Sequence, residues 1–248
     1  MIGKKLEWTD EMVAKFWDYE SQFPDKYFTK TFGGRIVEEV AEFIDGKKEI
    51  LDYGTGIGML MPHLLNKGVN VTGTDFSRDS INIVENKFNL NKNFLGVYYI
   101  DDILKLEKKF DVIFCVEMIE HINDHYLDVT MKNFQHLLSD DGVIVITTPN
   151  DEKLDDNNIY CPNCESIFHR WQHIRSWSEE SIKTCVNSFG FKEERIFTTF
   201  FERKQTEQPL PFTGKLAKFI RKNILGRKES HANQSRGKAP HLVAVIRK

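Results

Sequence analysis

Short apolar runs alternate with amphipathic stretches between residues 47 and 150. The runs that we predict as β-strands are Glu49–Tyr53, Val69–Thr74, Gly96–Ile100, Phe110–Val116 and Gly142–Thr147. The segments near 58–67, 77–89 and 124–138 carry their apolar residues on one face, which predicts helices. Because strand, helix and strand follow one another at this spacing, we predict right-handed crossovers and a parallel sheet covered by helices on both faces.

The segments on either side of this region have different patterns. Residues 1–46 are predicted to form helices, an aromatic one and then a periodic one, joined by a linker that Pro24 and Gly33–Gly34 should break. Near the end of the chain, Phe191–Phe201 and His241–Arg247 have the composition of strands. We expect these two strands to form an antiparallel hairpin whose connection has been enlarged.

The length and the charge limit the class of protein. A chain of 248 residues and 29.0 kDa fits one large α/β domain with a modest appendage. The formal net charge of -3 is uneven, because residues 213–240 hold eight basic side chains and one acid, a local charge of +7 that leaves -10 for the rest. Since the remaining chain is acidic and has no recognised nucleic-acid module, we expect no nucleic-acid partner.

The distribution of apolar residues and cysteines bears on the compartment. No apolar run approaches the roughly 18 to 20 residues that span a bilayer, and the N-terminal residues are too charged for a signal peptide. The chain has four cysteines, two of which form the CxxC pair Cys161 and Cys164, a pattern typical of metal or redox use in a reducing compartment. We therefore predict a cytoplasmic protein.

A glycine-rich turn follows the first predicted strand in the string ILDYGTGIGML, residues 50–60. Gly54, Gly56 and Gly58 let the backbone turn sharply and approach a ligand, and the helix that follows offers unpaired N–H donors. These features predict a nucleotide-type site. Taken alone, the turn fits a dinucleotide dehydrogenase nearly as well.

Acidic residues at three successive strand ends narrow the choice of ligand. Asp52 precedes the glycines, where a carboxylate favours an ammonium or sulfonium group and repels a pyrophosphate. Asp75 suits ribose hydroxyls, Phe76 can stack on an adenine ring, and Asp101 or Asp102 can accept from the adenine amino group. The acids favour S-adenosylmethionine, and both Asp52 and the absence of a GxGxxG glycine argue against a nicotinamide-dependent oxidoreductase.

The strings LDYGTGIG, VTGTDFS, FDVIFCVEMIEHI and HLLSDDGVIVITTPN resemble the class I S-adenosylmethionine-dependent methyltransferases, in particular the small-molecule branch with the ubiquinone-biosynthesis O-methyltransferases. The resemblance is strong over residues 47–150. It implies an α/β, Rossmann-like fold with a mostly parallel seven-stranded sheet, an antiparallel final strand and helices on both faces. The cofactor-binding set that follows is Asp52, Tyr53, Gly54, Gly56, Gly58, Asp75, Phe76, Asp101, Asp102, Ile103, Val116 and Glu117.

The pattern along the chain predicts a domain division, and together with the resemblance it predicts a reaction. Residues 1–46 would form a helical substrate cap, and residues 47–248 a methyltransferase domain with a Cys/His-rich insertion at 155–177 and a basic insertion at 203–240. The expected reaction is O-methylation of a small-molecule or carbohydrate hydroxyl. The alternatives are an amine acceptor such as an amino sugar, a carbon acceptor, and a non-catalytic protein that binds S-adenosylmethionine.

Three side chains after the fourth strand are candidates for chemistry: Glu117, Glu120 and His121. A histidine has a pKa near neutrality and can take a proton from a hydroxyl, so His121 with Glu120 is the catalytic hypothesis. In a second hypothesis, which the resemblance to the ubiquinone-type enzymes implies, the three residues bind a divalent ion that orients an acceptor oxygen. In a third, they only cap the helix and hydrogen-bond the sheet edge.

A second cluster lies after the fifth strand, where Cys161, Cys164, His169 and His173 have the spacing C-x2-C-x4-H-x3-H. If this piece is helical, both histidines lie on one face and the four residues suit tetrahedral zinc. The alternatives are a metal-free aromatic loop and direct catalysis by one of the histidines.

The basic insertion contains one amphipathic segment, residues 214–225, with an apolar face and a basic face. Such a helix can lie on an anionic membrane surface or close over a negatively charged acceptor. It can equally be an ordinary surface helix with a solvated basic face.

Overall fold

A computed structural model describes residues 3–202 and 238–248. In chain order the strands are β1 (Lys4–Lys5), β2 (Glu49–Tyr53), β3 (Asn70–Asp75), β4 (Phe94–Tyr99), β5 (Phe110–Val116), β6 (Leu138–Pro149), β7 (Asn158–Tyr160), β8 (Ser166–His169), β9 (Lys192–Thr199) and β10 (His241–Arg247). The α-helices are α1 (Asp10–Glu20), α2 (Phe28–Glu39), α3 (Ala41–Ile44), α4 (Met61–Leu65), α5 (Arg78–Phe88), α6 (Asp124–Leu137) and α7 (Glu179–Ser188).

Seven strands form the central sheet in the order β4-β3-β2-β5-β6-β10-β9. The strands from β4 to β6 are parallel, and β10 runs antiparallel to both β6 and β9. This confirms the predicted fold class and the antiparallel final hairpin. The strand order reverses between β2 and β5, the point at which open α/β sheets bind ligands beyond the carboxyl ends of their strands.

Successive side chains of each strand enter opposite halves of the core. On one face of the sheet, Ile50 and the side chains of the other strands on that face pack against α2, α4 and α5. On the other, Leu51 and its equivalents pack against α6 and α7. Because both faces are covered, the central strands read as continuous apolar runs, as the FDVIFCV of β5 illustrates. The sheet is therefore rigid, and residues at its carboxyl edge are held in fixed positions.

The N-terminal region differs from its helical prediction in two places. Residues 4 and 5 form a strand, β1, which pairs in parallel with β8 in a second sheet of order β1-β8-β7. Gly33 and Gly34 do not break the chain, because α2 runs through them and the imidazole of His63 packs against both. A Cβ atom at Gly33 would lie 2.9 Å from His63 Cδ2, so the two glycines permit close packing rather than a turn.

Two further differences concern helices. The sequence pattern did not predict α7, which begins at a capping box formed by Ser178 and Ser181 and buries Ile182 and Val186. The helix predicted at 58–67 is shorter, because the glycine turn extends to residue 60. Within residues 3–202 and 238–248, no helix combines the length and the apolarity needed to cross a membrane.

Candidate cofactor and acceptor site

The glycine turn after β2 is fixed to the neighbouring strand. Gly54 N and Thr55 N both donate to the carbonyl of Thr74, at 2.9 and 3.0 Å. All three glycines have positive φ angles, 77° at Gly54, 52° at Gly56 and 73° at Gly58, which residues with a Cβ atom rarely adopt. The backbone therefore turns away from the strand and presents its peptide groups at the carboxyl edge of the sheet.

Close packing gives a second reason for glycine in this turn. A Cβ atom at Gly58 would lie 2.9 Å from Phe88 Cε2, and one at Gly56 would lie 3.3 Å from Tyr27 Cε1. Tyr27 directly precedes α2, so the N-terminal region reaches the glycine turn. Burial and the nearby charge of Asp75 raise the pKa of Tyr27, which keeps its hydroxyl protonated. The sequence analysis did not single out this residue.

Asp75 holds the two loops of the candidate cofactor site together. Its Oδ2 accepts from Gly56 N at 2.8 Å and its Oδ1 accepts from Ser77 N at 2.9 Å. Burial raises the pKa of this carboxyl, although the backbone N–H donors oppose the effect. Each carboxylate oxygen has a further lone pair, so Asp75 can still accept from ligand hydroxyls.

Asp52 is the second buried acid of the site. Thr55 Oγ1 donates to its Oδ2 at 2.7 Å. Burial raises its pKa to about 7, the Thr55 hydrogen bond opposes this, and the charge of Asp75 adds to it. In the described part of the chain, no basic side chain lowers the pKa of either acid. Two buried carboxylates without a cation fit a positively charged ligand, which would stabilise their ionised forms.

The remaining predicted cofactor residues fall into two groups. Phe76, Asp101 and Asp102 lie at the surface of the carboxyl edge of the sheet. Phe76 is 39% exposed, and Asp102 forms an ion pair with Lys105 at 2.5 Å. Tyr53 and Ile103 are fully buried in the core, and Val116 is nearly so. The Tyr53 hydroxyl accepts from Asn133 of α6, so only the backbone of Tyr53 is available to a ligand.

The residues after β5 are held in an unusual conformation. Glu117 has a φ of 49°, a left-handed conformation that costs a non-glycine residue energy and often occurs at functional sites. Its N–H donates to the Thr147 carbonyl at 2.9 Å and its Oε1 accepts from Thr147 Oγ1 at 2.8 Å. Burial raises the pKa of Glu117 to about 7. Glu117 is thus anchored to β6 at the centre of the carboxyl edge.

Glu120 and His121 form a buried pair on the same loop. Glu120 Oε1 lies 3.7 Å from His121 Nε2, and Glu120 Oε2 accepts from Thr148 Oγ1 at 3.1 Å. Burial raises the pKa of Glu120 well above its usual value. Burial, followed by the charge of His173, lowers the pKa of His121 well below its usual value. The imidazole is therefore neutral at physiological pH and carries a lone pair.

The predicted Cys2His2 set does not assemble. Cys161 and Cys164 lie in the turn between β7 and β8, whereas His169 ends β8 and pairs with Asn158. The prediction assumed a helix, but residues 166–169 are extended, and at about 3.3 Å per residue His169 lies roughly 10 Å along the strand from Ser166, next to the turn. Among the described residues, the side-chain groups close enough to hold a metal ion include both histidines and neither cysteine. The hairpin thus places the two cysteines in its turn and His169 at its far end, so the four residues do not form one zinc site.

The two histidines meet other partners. His169 Nε2 lies 3.2 Å from Glu152 Oε1, and His173 Nδ1 lies 2.5 Å from Glu152 Oε2. His173 also faces the buried pair, because donor atoms of Glu120, His121 and His173 all lie within 4.8 Å of one another. Glu152 was not predicted from the sequence, although it lies shortly after the end of β6 at Pro149.

The N-terminal helix α1 closes over this edge. Trp17 packs edge-on against His121, with ring centroids 4.8 Å apart, and its Nε1 donates to Gln172 Oε1 at 3.1 Å. Asp18 accepts from Ser77 Oγ at 3.2 Å, next to the cofactor loops. The helix thus contacts both the cofactor loops and the histidine cluster. The predicted basic segment 214–225, and nearly all of the 203–240 insertion, lie outside the described residues.

Comparison with known proteins identifies the family of the chain. A family model described as a methyltransferase domain matches residues 25–195. The ubiquinone biosynthesis O-methyltransferase of Pelagibacter ubique is 30% identical over 159 residues, which are 59% of this chain and 65% of that protein. The chain thus matches slightly less than two thirds of that relative's length.

Solved structures show the same fold at lower identity. A SAM-dependent methyltransferase from Archaeoglobus fulgidus superposes with a TM-score of 0.60 at 20% identity, covering 94% of this chain and 99% of the other. The CcbJ methyltransferase from Streptomyces caelestis superposes with a TM-score of 0.62 at 16% identity, covering 95% and 98%. The chain belongs to the methyltransferase domain family, with a Rossmann-like fold and S-adenosylmethionine as its cofactor.

Proposed function

We propose that the protein transfers a methyl group from S-adenosylmethionine to a hydroxyl group of a small molecule or a carbohydrate. The observation that carries the proposal is the neutral, buried imidazole of His121 beside Glu120, at the same sheet edge as Asp52 and Asp75. The matched relative is named as an O-methyltransferase, which supports a hydroxyl acceptor.

Asp52, Asp75 and the glycine turn are the residues that would hold the cofactor. The sulfonium group supplies an activated methyl donor. The residues of the protein therefore have to bind and orient the cofactor and the acceptor and to exclude water. Asp52 would face a positive group of the ligand and Asp75 would accept from its hydroxyls. The backbone peptides of Gly54 to Gly58 lie at the edge between the two acids.

His121 and Glu120 account for the choice of a hydroxyl acceptor. A hydroxyl holds its proton at neutral pH, so the reaction needs a base near the oxygen. Nδ1 of His121 is buried and has no hydrogen-bond partner among the described residues, which leaves it able to accept a proton. The raised pKa of Glu120 favours its protonated form beside the neutral ring, and the positive charge of the imidazolium, 3.7 Å away, would favour its ionised form.

The N-terminal region would act as the acceptor cap. Trp17 covers His121, and Tyr27 reaches the glycine turn, so α1 and the start of α2 bridge the cofactor loops and the base. Such a cover keeps water away from the methyl group, which would otherwise compete with the acceptor.

Matched acceptors test the proposal. The protein is incubated with deuteromethyl-labelled S-adenosylmethionine and catechol, 2-aminophenol or methyl glucoside, and the products are identified by mass spectrometry. We expect label on oxygen, including the oxygen of 2-aminophenol. Label on nitrogen alone would identify an amine methyltransferase, and binding of S-adenosylhomocysteine without transfer to any hydroxyl in the set would point to the non-catalytic alternative; either result would refute the proposal.

A further inference from the structure

The turn between β7 and β8 carries two cysteines that the proposed methyl transfer does not use. Cys161 and Cys164 are both free thiols, and two residues separate them. Cys164 is exposed and Cys161 is partly exposed, so a reagent in solution can reach both side chains. The pair belongs to the sheet β1-β8-β7, whereas the candidate cofactor residues belong to the central sheet.

Backbone hydrogen bonds fix the course of this turn. Cys161 N donates to the Ser166 carbonyl at 2.9 Å, and Glu165 N donates to the Cys161 carbonyl at 2.9 Å. Glu165 has a φ of 57°, a left-handed conformation with which hairpin loops commonly return to the second strand. Strand β1 adds a further constraint, because Lys4 N donates to the Glu165 carbonyl at 2.9 Å. Cys161 and Cys164 are therefore held in one closed loop.

The surroundings of Cys164 favour its thiolate form. Its Sγ lies 3.3 Å from Ser166 Oγ, and the hydroxyl can rotate to donate to a negatively charged sulfur. The Ser166 hydroxyl, followed by the Ser166 N–H and the Cys161 side chain, lowers the pKa of the Cys164 thiol. Because the thiolate is the form that attacks a disulfide, Cys164 is a nucleophile with a second thiol in hydrogen-bonding contact.

The other two cysteines of the chain have the opposite environment. Cys115 lies in β5 and is fully buried, and Cys185 lies in α7 and is partly buried. Burial raises the pKa of both thiols. Since a buried, protonated thiol is a poor nucleophile, reaction with a disulfide should be confined to the hairpin turn.

Zinc is the other common partner of a CxxC pair. A structural zinc ion takes four protein ligands, so two more side chains would have to join the two cysteines. Among the residues that the structure describes, the groups of three or more potential metal ligands contain neither Cys161 nor Cys164. The surroundings of the two thiols therefore favour disulfide chemistry over a zinc site.

We propose that Cys161 and Cys164 form a reversible dithiol–disulfide pair that reacts with small disulfides such as glutathione disulfide. The Cys164 thiolate attacks one sulfur of the external disulfide, whose S–S bond breaks as a mixed disulfide forms and the first small thiolate leaves. Cys161 then loses its proton and attacks Cys164 Sγ, which forms the protein disulfide and releases the second small thiolate. The protein loses two electrons and two protons, and the external disulfide gains them to become two thiols. This chemistry does not depend on the proposed methyl transfer.

A redox titration of the purified chain tests the pair. The protein is equilibrated with buffers of reduced and oxidised glutathione, its remaining thiols are blocked with N-ethylmaleimide in denaturant, and its peptides are analysed by mass spectrometry. We expect a disulfide between Cys161 and Cys164 that dithiothreitol reverses, with Cys115 and Cys185 recovered as blocked thiols. A pair that stays reduced in every buffer, or a stoichiometric zinc ion that protects both thiols until it is chelated, would overturn the proposal.

Variants assign the two roles within the pair. In Cys161→Ser the reaction should stop at a mixed disulfide of Cys164 with glutathione, because the second thiol is missing. Ser166→Ala should slow the alkylation of Cys164 by iodoacetamide at pH 7 about three- to tenfold, since a hydrogen bond to the thiolate is lost. Ser188→Ala, at an exposed serine of α7, is the control and should keep the wild-type rate. Equal rates in the two serine variants, or a mixed disulfide that forms in Cys164→Ser but not in Cys161→Ser, would overturn the role of Cys164 as the attacking sulfur.

Discussion

The proposed cofactor half of the site and the proposed acceptor half are built in different ways. The cofactor half comes from consecutive residues at two neighbouring strand ends, Asp52 to Gly58 and Asp75 to Ser77, tied together by backbone hydrogen bonds. The acceptor half assembles Trp17, His121, Glu152 and His173, which lie far apart in sequence. Residues that follow one another at the edge of a sheet form a motif that can be recognised in the sequence. Residues from several distant segments can be recognised as one site only in the structure.

The largest expected effect separates the two halves by activity. His121→Ala should lower kcat on a hydroxyl acceptor by roughly 100- to 10,000-fold, because the proposed general base is lost. The affinity for S-adenosylhomocysteine should stay within twofold, since His121 belongs to the acceptor half. Steady-state kinetics and calorimetry measure the two quantities. The control is His125→Ala, at an exposed histidine on α6, which should keep both the turnover and the affinity of the wild type. Comparable turnover in His121→Ala and the wild type would contradict the role of His121 as a base.

Asp75→Asn should weaken ligand binding at the proposed cofactor half of the site. Replacing the carboxylate weakens charge-assisted hydrogen bonds to Gly56, Ser77 and the ligand, and a loss of about 3 kcal/mol would raise the dissociation constant of S-adenosylhomocysteine roughly 100-fold. Asp111→Asn is the matched control, because Asp111 also accepts from two backbone N–H groups, but at the start of β5 on the opposite edge. Equal calorimetric affinities for the two variants would place the ligand elsewhere.

The pH dependence of binding tests the charge of the cofactor half. With a pKa of about 7, Asp52 is mostly protonated at pH 6 and mostly ionised at pH 8. Since the ammonium group of S-adenosylhomocysteine would be bound by the ionised form of Asp52, the affinity for this ligand should rise about tenfold between these values. In Asp52→Asn the rise should be largely lost. An affinity that falls with pH in the wild type would contradict the assignment.

The smallest effect concerns the contact between the proposed cap, at Trp17 of α1, and Gln172. Trp17→Phe removes the indole N–H that donates to the fully buried Gln172, which should lower the free energy of unfolding by about 1 to 2 kcal/mol in urea titrations. Trp8→Phe serves as the control, because Trp8 makes ring contacts with Phe16 and Phe168, and its loss should be smaller. Identical midpoints for the two variants would show that the hydrogen bond does not hold the cap.

The same contrast explains what the sequence could predict. The seven-stranded sheet follows from the apolar periodicity, and the placement of Asp52, Asp75 and the glycines follows from their position at strand ends. The Cys2His2 prediction failed because local spacing does not reveal whether residues 161–173 are helical or extended. Glu152 was missed because its partners are fixed by the fold of the insertion, and β1 because a two-residue strand has no pattern without its partner β8.

Hydrogen–deuterium exchange with saturating S-adenosylhomocysteine tests the central claim, that the ligand binds between the acids of β2 and β3. We predict slower exchange in peptides that cover residues 52–60 and 75–80, and unchanged exchange in the hairpin turn at 160–166. Protection confined to that hairpin or to the opposite edge of the sheet, with the glycine turn unaffected, would contradict the account.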